Sequence, residues 1–441
     1  MKKKEYLPWH IFLAYFSITL FLYLFGPWEY SGGNVLLLLL YLFCFVILST
    51  IGFSKGLKNS KRKYRLYNKN CNFIKIKYIH LLIDVSLLVS LVILFLAIRE
   101  KGLPSGGDII SNMASAYSGT SSSSNDGINM PLWFFDNFGF LIYFSIILGF
   151  SYFRDLKLKY RFILIATTLI TLFYFMIYRG QQKQLGDIVI LISSSLLISF
   201  VWSGKRIRFT KKIKGMIFLL LVVFFFASVL SGRLIMMNKT VEDLASGRTS
   251  SLNTDNWIFK LMPDFIALGL SFLIFYVSHG FHGLELSLCQ PFVWTQGLGS
   301  CSAISILLNR YLGFDLAILS KTYPNRVELA TGWSATSTWH TIFPWLASDF
   351  TFVGALIVMM IYAYIYGKCW FESIYEKKWQ SILLFSILNI QWFYLVANNQ
   401  LFTLKSSLLM FIISLILWFF RNSRIKLNRD VRRKNNEGIA N

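Results

Sequence analysis

Residues 34–53 read NVLLLLLYLFCFVILSTIGF, a run without one Asp, Glu, Lys or Arg. A helix of about 20 residues rises about 30 Å, the thickness of a bilayer's hydrocarbon core. With no water there, every backbone N–H and C=O must bond within the segment, which makes the run a spanning helix. Lys55, Lys58, Lys61, Arg62, Lys63 and Arg65 follow at once and mark where the chain leaves the apolar medium.

The same criterion picks out nine more stretches, near 8–26, 78–98, 131–152, 162–178, 187–202, 215–231, 352–369, 380–398 and 403–420. The whole chain agrees with them. Its 441 residues are 55% hydrophobic, 17% aromatic and only 15% charged, too apolar for a soluble surface and too aromatic for disorder. The first stretch follows Lys2, Lys3 and Lys4 as a signal peptide would. However, Phe25-Gly26-Pro27-Trp28-Glu29 is a poor cleavage site, so it reads as an uncleaved span.

A net charge of +23 would suggest nucleic acid in a soluble chain, but here the basic residues interrupt apolar runs and form no continuous stripe. Of the 44 Lys and Arg, 32 fall on one side of the alternating spans: at the N-terminus, in 55–77, 154–161, 205–214 and 368–378, and in the tail. The positive-inside rule makes that side cytoplasmic, both termini included. The other side carries 12 basic and 13 acidic residues and is nearly neutral.

The expectation is an all-α polytopic membrane protein of ten spans. Residues 1–231 form a seven-helix membrane region and 232–351 a long external loop with interfacial or re-entrant helices. A three-helix membrane region at 352–420 and a basic cytoplasmic tail at 421–441 follow. Twelve spans would require the semi-apolar stretches near 265–281 and 298–319 to cross. Their connection would then be cytoplasmic, yet it has no Lys or Arg and contains Glu285. An ordered loop of this length is uncommon unless functional. The external loop between Arg99 and Met130 is rich in Ser and Gly, and no internal repeat appears.

No Walker loop, dinucleotide fingerprint, G-x-S-x-G elbow, H-E-x-x-H pair or CxxC occurs, and the cytoplasmic connectors are short and basic, so chemistry belongs on the external face. There, Arg179, Arg233, Arg248, Arg310 and Arg326 run against the charge bias of translocated segments. A guanidinium fork suits a phosphate, and a lipid diphosphate would lie at this depth. The alternative is that each snorkels to headgroups or pairs with a nearby acid.

Three histidines, His279, His282 and His340, are external. His279, His282 and Glu285 have helical spacing, but Gly280 and Gly283 interrupt it and a fourth ligand is not evident. No metal is therefore assigned, and His279 and His282 read as interfacial. Trp294, Trp333, Trp339 and Trp345 suit sugar stacking or an interfacial belt. Cys289 and Cys301, the two external cysteines, are candidates for a disulfide across the loop.

The stretch from His340 through Thr341, Pro344, Asp349-Phe350 and Gly354, entering a span after a long external loop and followed by Tyr362 to Gly367, resembles the O-antigen ligase and polymerase superfamily. Within it, the string is similar to the oligosaccharide repeat unit polymerases (Wzy-type). The resemblance covers the topology of the whole chain and about 40 residues by motif. Two departures are Thr351, where the family usually has Gly, and the absence of R-x10-G repeats.

The resemblance implies a glycosyltransferase of the bacterial plasma membrane, acting without a cofactor on undecaprenyl-diphosphate-linked oligosaccharide. Membrane lipids and a chain-length regulator protein would be its partners, and nucleic acid would not. Departure of a diphosphate calls for Arg, here Arg179, Arg233 and Arg310 with Arg248 and Arg326. Deprotonating an acceptor hydroxyl calls for a base, here His340, with Asp349 as its orienter or substitute. The rival readings are an O-antigen ligase, a lipid-linked oligosaccharide flippase and a membrane acyltransferase. A flippase should line its spans with charge, and only Asp84 and Asp136 lie deep. An acyltransferase would need His toward the cytoplasm, where the connectors have none.

Overall fold

The computed structural model describes residues 2–66, 74–103, 129–181, 183–204 and 249–422. Apolar runs become helices because only a helix satisfies its own backbone. In chain order they are α1 (Leu7–Phe25), α2 (Val35–Leu66), α3 (Ile76–Lys101), α4 (Met130–Ser151), α5 (Leu158–Phe173) and α6 (Lys183–Ser203). A π-turn, Tyr174–Tyr178, prolongs α5. The shorter helices α7 (Trp257–Leu261), α8 (Asp264–Ser278), α9 (Gly280–Leu288), α10 (Ser302–Leu312) and α11 (Tyr323–Thr331) precede α12 (Ile342–Phe371), α13 (Trp379–Phe393) and α14 (Lys405–Phe419). One small antiparallel sheet, β1 (Trp28–Tyr30) on β2 (Ser250–Leu252), ties the α1–α2 connection to the long loop.

Among the described residues, eight helices are long and apolar enough to cross a membrane, or nine if the bent α8–α9 pair counts as one. The protein is an all-α polytopic membrane protein. The expected span at 403–420 is a shorter apolar helix, Lys405–Phe419. That at 215–231 lies outside the described residues. The stretch 298–319 does not supply a span. It folds as the 11-residue α10 and a 3-10 turn, Leu316–Lys321, stopped by Gly313 in the left-handed conformation.

Contacts along the helices fix their relative directions. α2 and α12 run parallel, with Tyr41 bonding the Phe352 carbonyl (3.1 Å) near one end and Asn59 the Tyr364 hydroxyl (2.5 Å) toward the other. Between these, Gly52 and Gly56 press their backbones onto the carbonyls of Met360 and Tyr364. α4 starts beside the end of α3, where Glu100 accepts from the Met130 N–H (3.0 Å), so that pair is antiparallel. One end of the bundle gathers the first and last described elements. There Lys61 pairs with Glu5 (2.8 Å), and buried Arg421 pairs with Glu372 (2.8 Å). The other end carries the sheet and α7 to α11.

Of the interfacial or re-entrant helices expected in this loop, the α8–α9 pair has the bent form of a broken span or re-entrant loop and packs on α1 and α2. The helices bend by 45° at His279, and α9 is buried from Gly280 to Ser287. Its Gly283 lies so close to Trp339 and His340 that a Cβ would fall 2.5 Å from the Trp339 carbonyl oxygen.

α12 is broken near the expected domain border at 351/352. Thr351, at φ 62 and ψ 167, interrupts the helix, and Thr341, at φ 61 and ψ 176, caps its start. Both sit in a region that Gly alone occupies at ease, at a cost of about 1–3 kcal/mol for another residue. Thr351 offsets part of this, because its hydroxyl caps the second half of α12 by accepting from the Gly354 N–H (3.3 Å). Thr351→Gly removes strain and cap together, whereas Thr351→Ala removes only the cap. Thermal unfolding in detergent should therefore rank the Gly variant above the Ala variant by about 1 kcal/mol.

Candidate functional site

Two polar clusters lie at the loop-bearing end. The first contains the three histidines expected to be external. His279, His282 and His340 are all buried, at 3%, 0% and 0% exposure, which corrects the interfacial reading of the first two. His279 is held as one tautomer: Nδ1 donates to the Phe275 carbonyl (2.6 Å) and Nε2 accepts from the Trp339 N–H (2.9 Å). Glu285 accepts from the Tyr23 hydroxyl and lies 3.4 Å from His282 Nδ1. Trp333, 1% exposed, packs edge-on to His282, and Trp339 stacks on His279. Trp294 is exposed, and Trp345 donates to the Asn398 side chain.

His340 Nε2 lies 3.1 Å from the Ser334 carbonyl and donates to it, while its own N–H bonds the Ala397 carbonyl (3.2 Å). Burial pushes its pKa down to about 4, against the opposing pull of the Ser334 and Gly283 backbone. The ring is neutral at pH 7, and the native state resists its protonation. Because the folded pKa lies below the unfolded value of about 6.5, this contribution is complete above that value and declines as pH falls toward 4. The loss at pH 5 is about 2 kcal/mol. The unfolding temperature of His340→Gln should therefore fall less between pH 7 and pH 5 than that of the wild type.

Asp349 does not orient His340. Its carboxylate is bound by the loop Thr295–Ser300, accepting from the Thr295 hydroxyl and from the N–H groups of Gly297 (2.9 Å), Gly299 (3.4 Å) and Ser300 (2.7 Å). It folds that loop onto the start of α12. The two groups expected to act as base and orienter serve separate structural tasks.

Arg326 is likewise engaged, with its guanidinium over the Tyr323 ring (4.7 Å) and Nε donating to the Lys321 carbonyl (3.1 Å). Arg233 and Arg248 lie outside the described residues. Cys289 and Cys301 are free thiols, the first exposed and the second buried against the Phe402 carbonyl, so no disulfide joins them. No cluster of His, Cys, Asp or Glu among the described residues could hold a metal.

The second cluster gathers Arg179 and Arg310 with three lysines. The π-turn after α5 inserts a residue into the helical ladder and sets Arg179 as its C-cap. Arg310, exposed at the end of α10, and Lys405, at the start of α14, also act on Asp136 of α4, as Arg179 does, and the Ser406 side chain lies beside it. Lys101 donates to the Tyr178 carbonyl (2.9 Å). Lys183 pairs with Asp187 (2.8 Å) and reaches the Ser407 hydroxyl (3.2 Å). Lys405 is held by the Asn137 side chain (2.9 Å).

These lysines are satisfied by neighbours. Arg179 is different: its Nε is enclosed and, among the described residues, has no hydrogen-bond partner. An enclosed, unsatisfied guanidinium nitrogen is costly unless an acceptor fills the space, and among five cations that acceptor would be anionic. Sequence reading singled out both arginines but not the lysines, whose ends of α3, α6 and α14 meet only in the folded bundle. No protein-family model, curated protein or solved structure matches the chain.

Proposed function

We propose that this protein is a glycosyltransferase that polymerises undecaprenyl-diphosphate-linked repeat units on the outer face of a bacterial plasma membrane. In this reading ten spans leave both termini in the cytoplasm, and the loop-bearing end faces outward. The product is an O-antigen or capsular polysaccharide. The observation that carries the proposal is the convergence of Arg179, Arg310, Lys101, Lys183 and Lys405 at the loop-bearing end, opposite Glu5 and Arg421. Cations on the translocated side run against the topological bias, and their gathering at headgroup depth suits a lipid diphosphate. The sequence resemblance to Wzy-type polymerases supplies the reaction class.

Arg179 and Arg310 hold the diphosphate and stabilise the charge that develops as it leaves. Asp349 and His340 act by shaping the loop and the α8–α9 pair around the site, not as groups on the substrate. Deleting the gene and inspecting surface polysaccharide tests the function. A lipid core carrying a single repeat unit is the result expected. A bare core with accumulated lipid-linked polymer would mean a ligase, and repeat units trapped on the cytoplasmic face would mean a flippase.

A further inference from the structure

The geometry points to Asp136 as the base that takes the acceptor hydroxyl's proton, an inference that rests on the proposed function. Asp136 sits on the second turn of α4, half-buried, within the electrostatic reach of Lys405, Arg179 and Arg310. His340 is wholly enclosed with Nε2 committed to a carbonyl, and Asp349 spends both oxygens on the 295–300 loop. Asp136 is open by comparison. Although Lys405, Arg179 and Arg310 surround it, none of the ion pairs among the described residues includes it. The ammonium of Lys405 is held instead by Asn137, the next residue along α4. The Ser406 side chain lies beside the carboxylate.

When a polyprenyl diphosphate binds, its negative charge engages the cations that neighbour Asp136, and the carboxylate is left beside an anion. Binding of the donor therefore raises its affinity for a proton.

The step balances. The acceptor oxygen forms a bond to the anomeric carbon as the bond from that carbon to the diphosphate oxygen breaks, and the diphosphate keeps the electron pair. The acceptor's proton passes to Asp136 and from there to solvent.

The test uses the purified full chain in detergent with undecaprenyl diphosphate as binding probe, and surface-polysaccharide chain length in cells as turnover. Asp136→Asn, nearly isosteric, should bind the probe at least as tightly as the wild type, since it removes a negative charge. It should lower polymer output by about 100-fold or more. Asp136→Glu should recover part of that output, and Asp84→Asn, on α3, should leave it unchanged.

Polymer of normal length and amount from Asp136→Asn would overturn the assignment. So would loss of probe binding together with polymer in a variant that elutes as the wild type does, because Asp136 would then only arrange the cations. If the wild type itself fails to bind the probe and its deletion leaves polysaccharide intact, the function falls, and this inference with it.

Discussion

Arg179→Ala should abolish polymer and weaken binding of undecaprenyl diphosphate by roughly 10- to 100-fold. A charge-assisted hydrogen bond contributes about 1.5–3 kcal/mol. The Nε of Arg179 is enclosed without a partner among the described residues, so removing the side chain breaks no internal bond of that nitrogen. The loss should therefore appear in binding and turnover while thermal stability holds or rises. Arg179→Lys keeps the charge but not the fork, and should fall between. Arg326→Ala is the control. One of its terminal nitrogens is also enclosed without a hydrogen-bond partner among the described residues, but its guanidinium lies over Tyr323 and it is not among the cations that act on Asp136, so its removal should leave probe binding unchanged. Normal chain length from well-expressed Arg179→Ala would remove the arginine, and the cation cluster with it, from the mechanism.

Gly56→Leu should prevent the bundle from assembling. A Cβ on Gly56 would lie 2.1 Å from the Tyr364 carbonyl oxygen, and one on Gly52 would lie 2.3 Å from that of Met360. The obstacle in each case is backbone, which cannot rotate aside as a side chain can. In a membrane, helices associate chiefly through close packing and interhelical hydrogen bonds, and small residues spaced as Gly52-x-x-x-Gly56 permit that approach. Forcing α2 from α12 by even one methyl also strains the bonds of Tyr41 and Asn59 that join them. Gly56→Ala should cost about 3 kcal/mol, and Gly56→Leu should leave protein that aggregates on extraction. Size-exclusion profiles in detergent read both. A monodisperse Gly56→Leu variant that melts as the wild type does would show that this contact is not a principal support of the fold.

The histidines and the arginines were read from the same chain with unequal success. His279 and His282 looked interfacial because Gly280 and Gly283 seemed to break their helix. In the fold those glycines permit α9 to lie against backbone, which buries the imidazoles. His340 and Asp349, nine residues apart with a proline between, suggested a base and its orienter. The left-handed turn at Thr341 and the cradle of N–H groups in 297–300 send them to different partners. Sequence spacing carries no information about which backbone donors will meet a carboxylate.

Composition and periodicity alone determined that the chain crosses a membrane many times, where most helices lie, and which side holds the positive charge. A water-free medium leaves an apolar run no choice but to bond to itself, so that much is local. Which cations meet was decided by tertiary structure alone. Lys101, Arg179, Lys183, Arg310 and Lys405 come from five separate elements, and only the packing of α3 to α6 with α10 and α14 brings Arg179, Arg310 and Lys405 to Asp136, Lys101 to Arg179 and Lys183 to Ser407. Electrostatic coupling depends on distance through space, which a linear order does not encode.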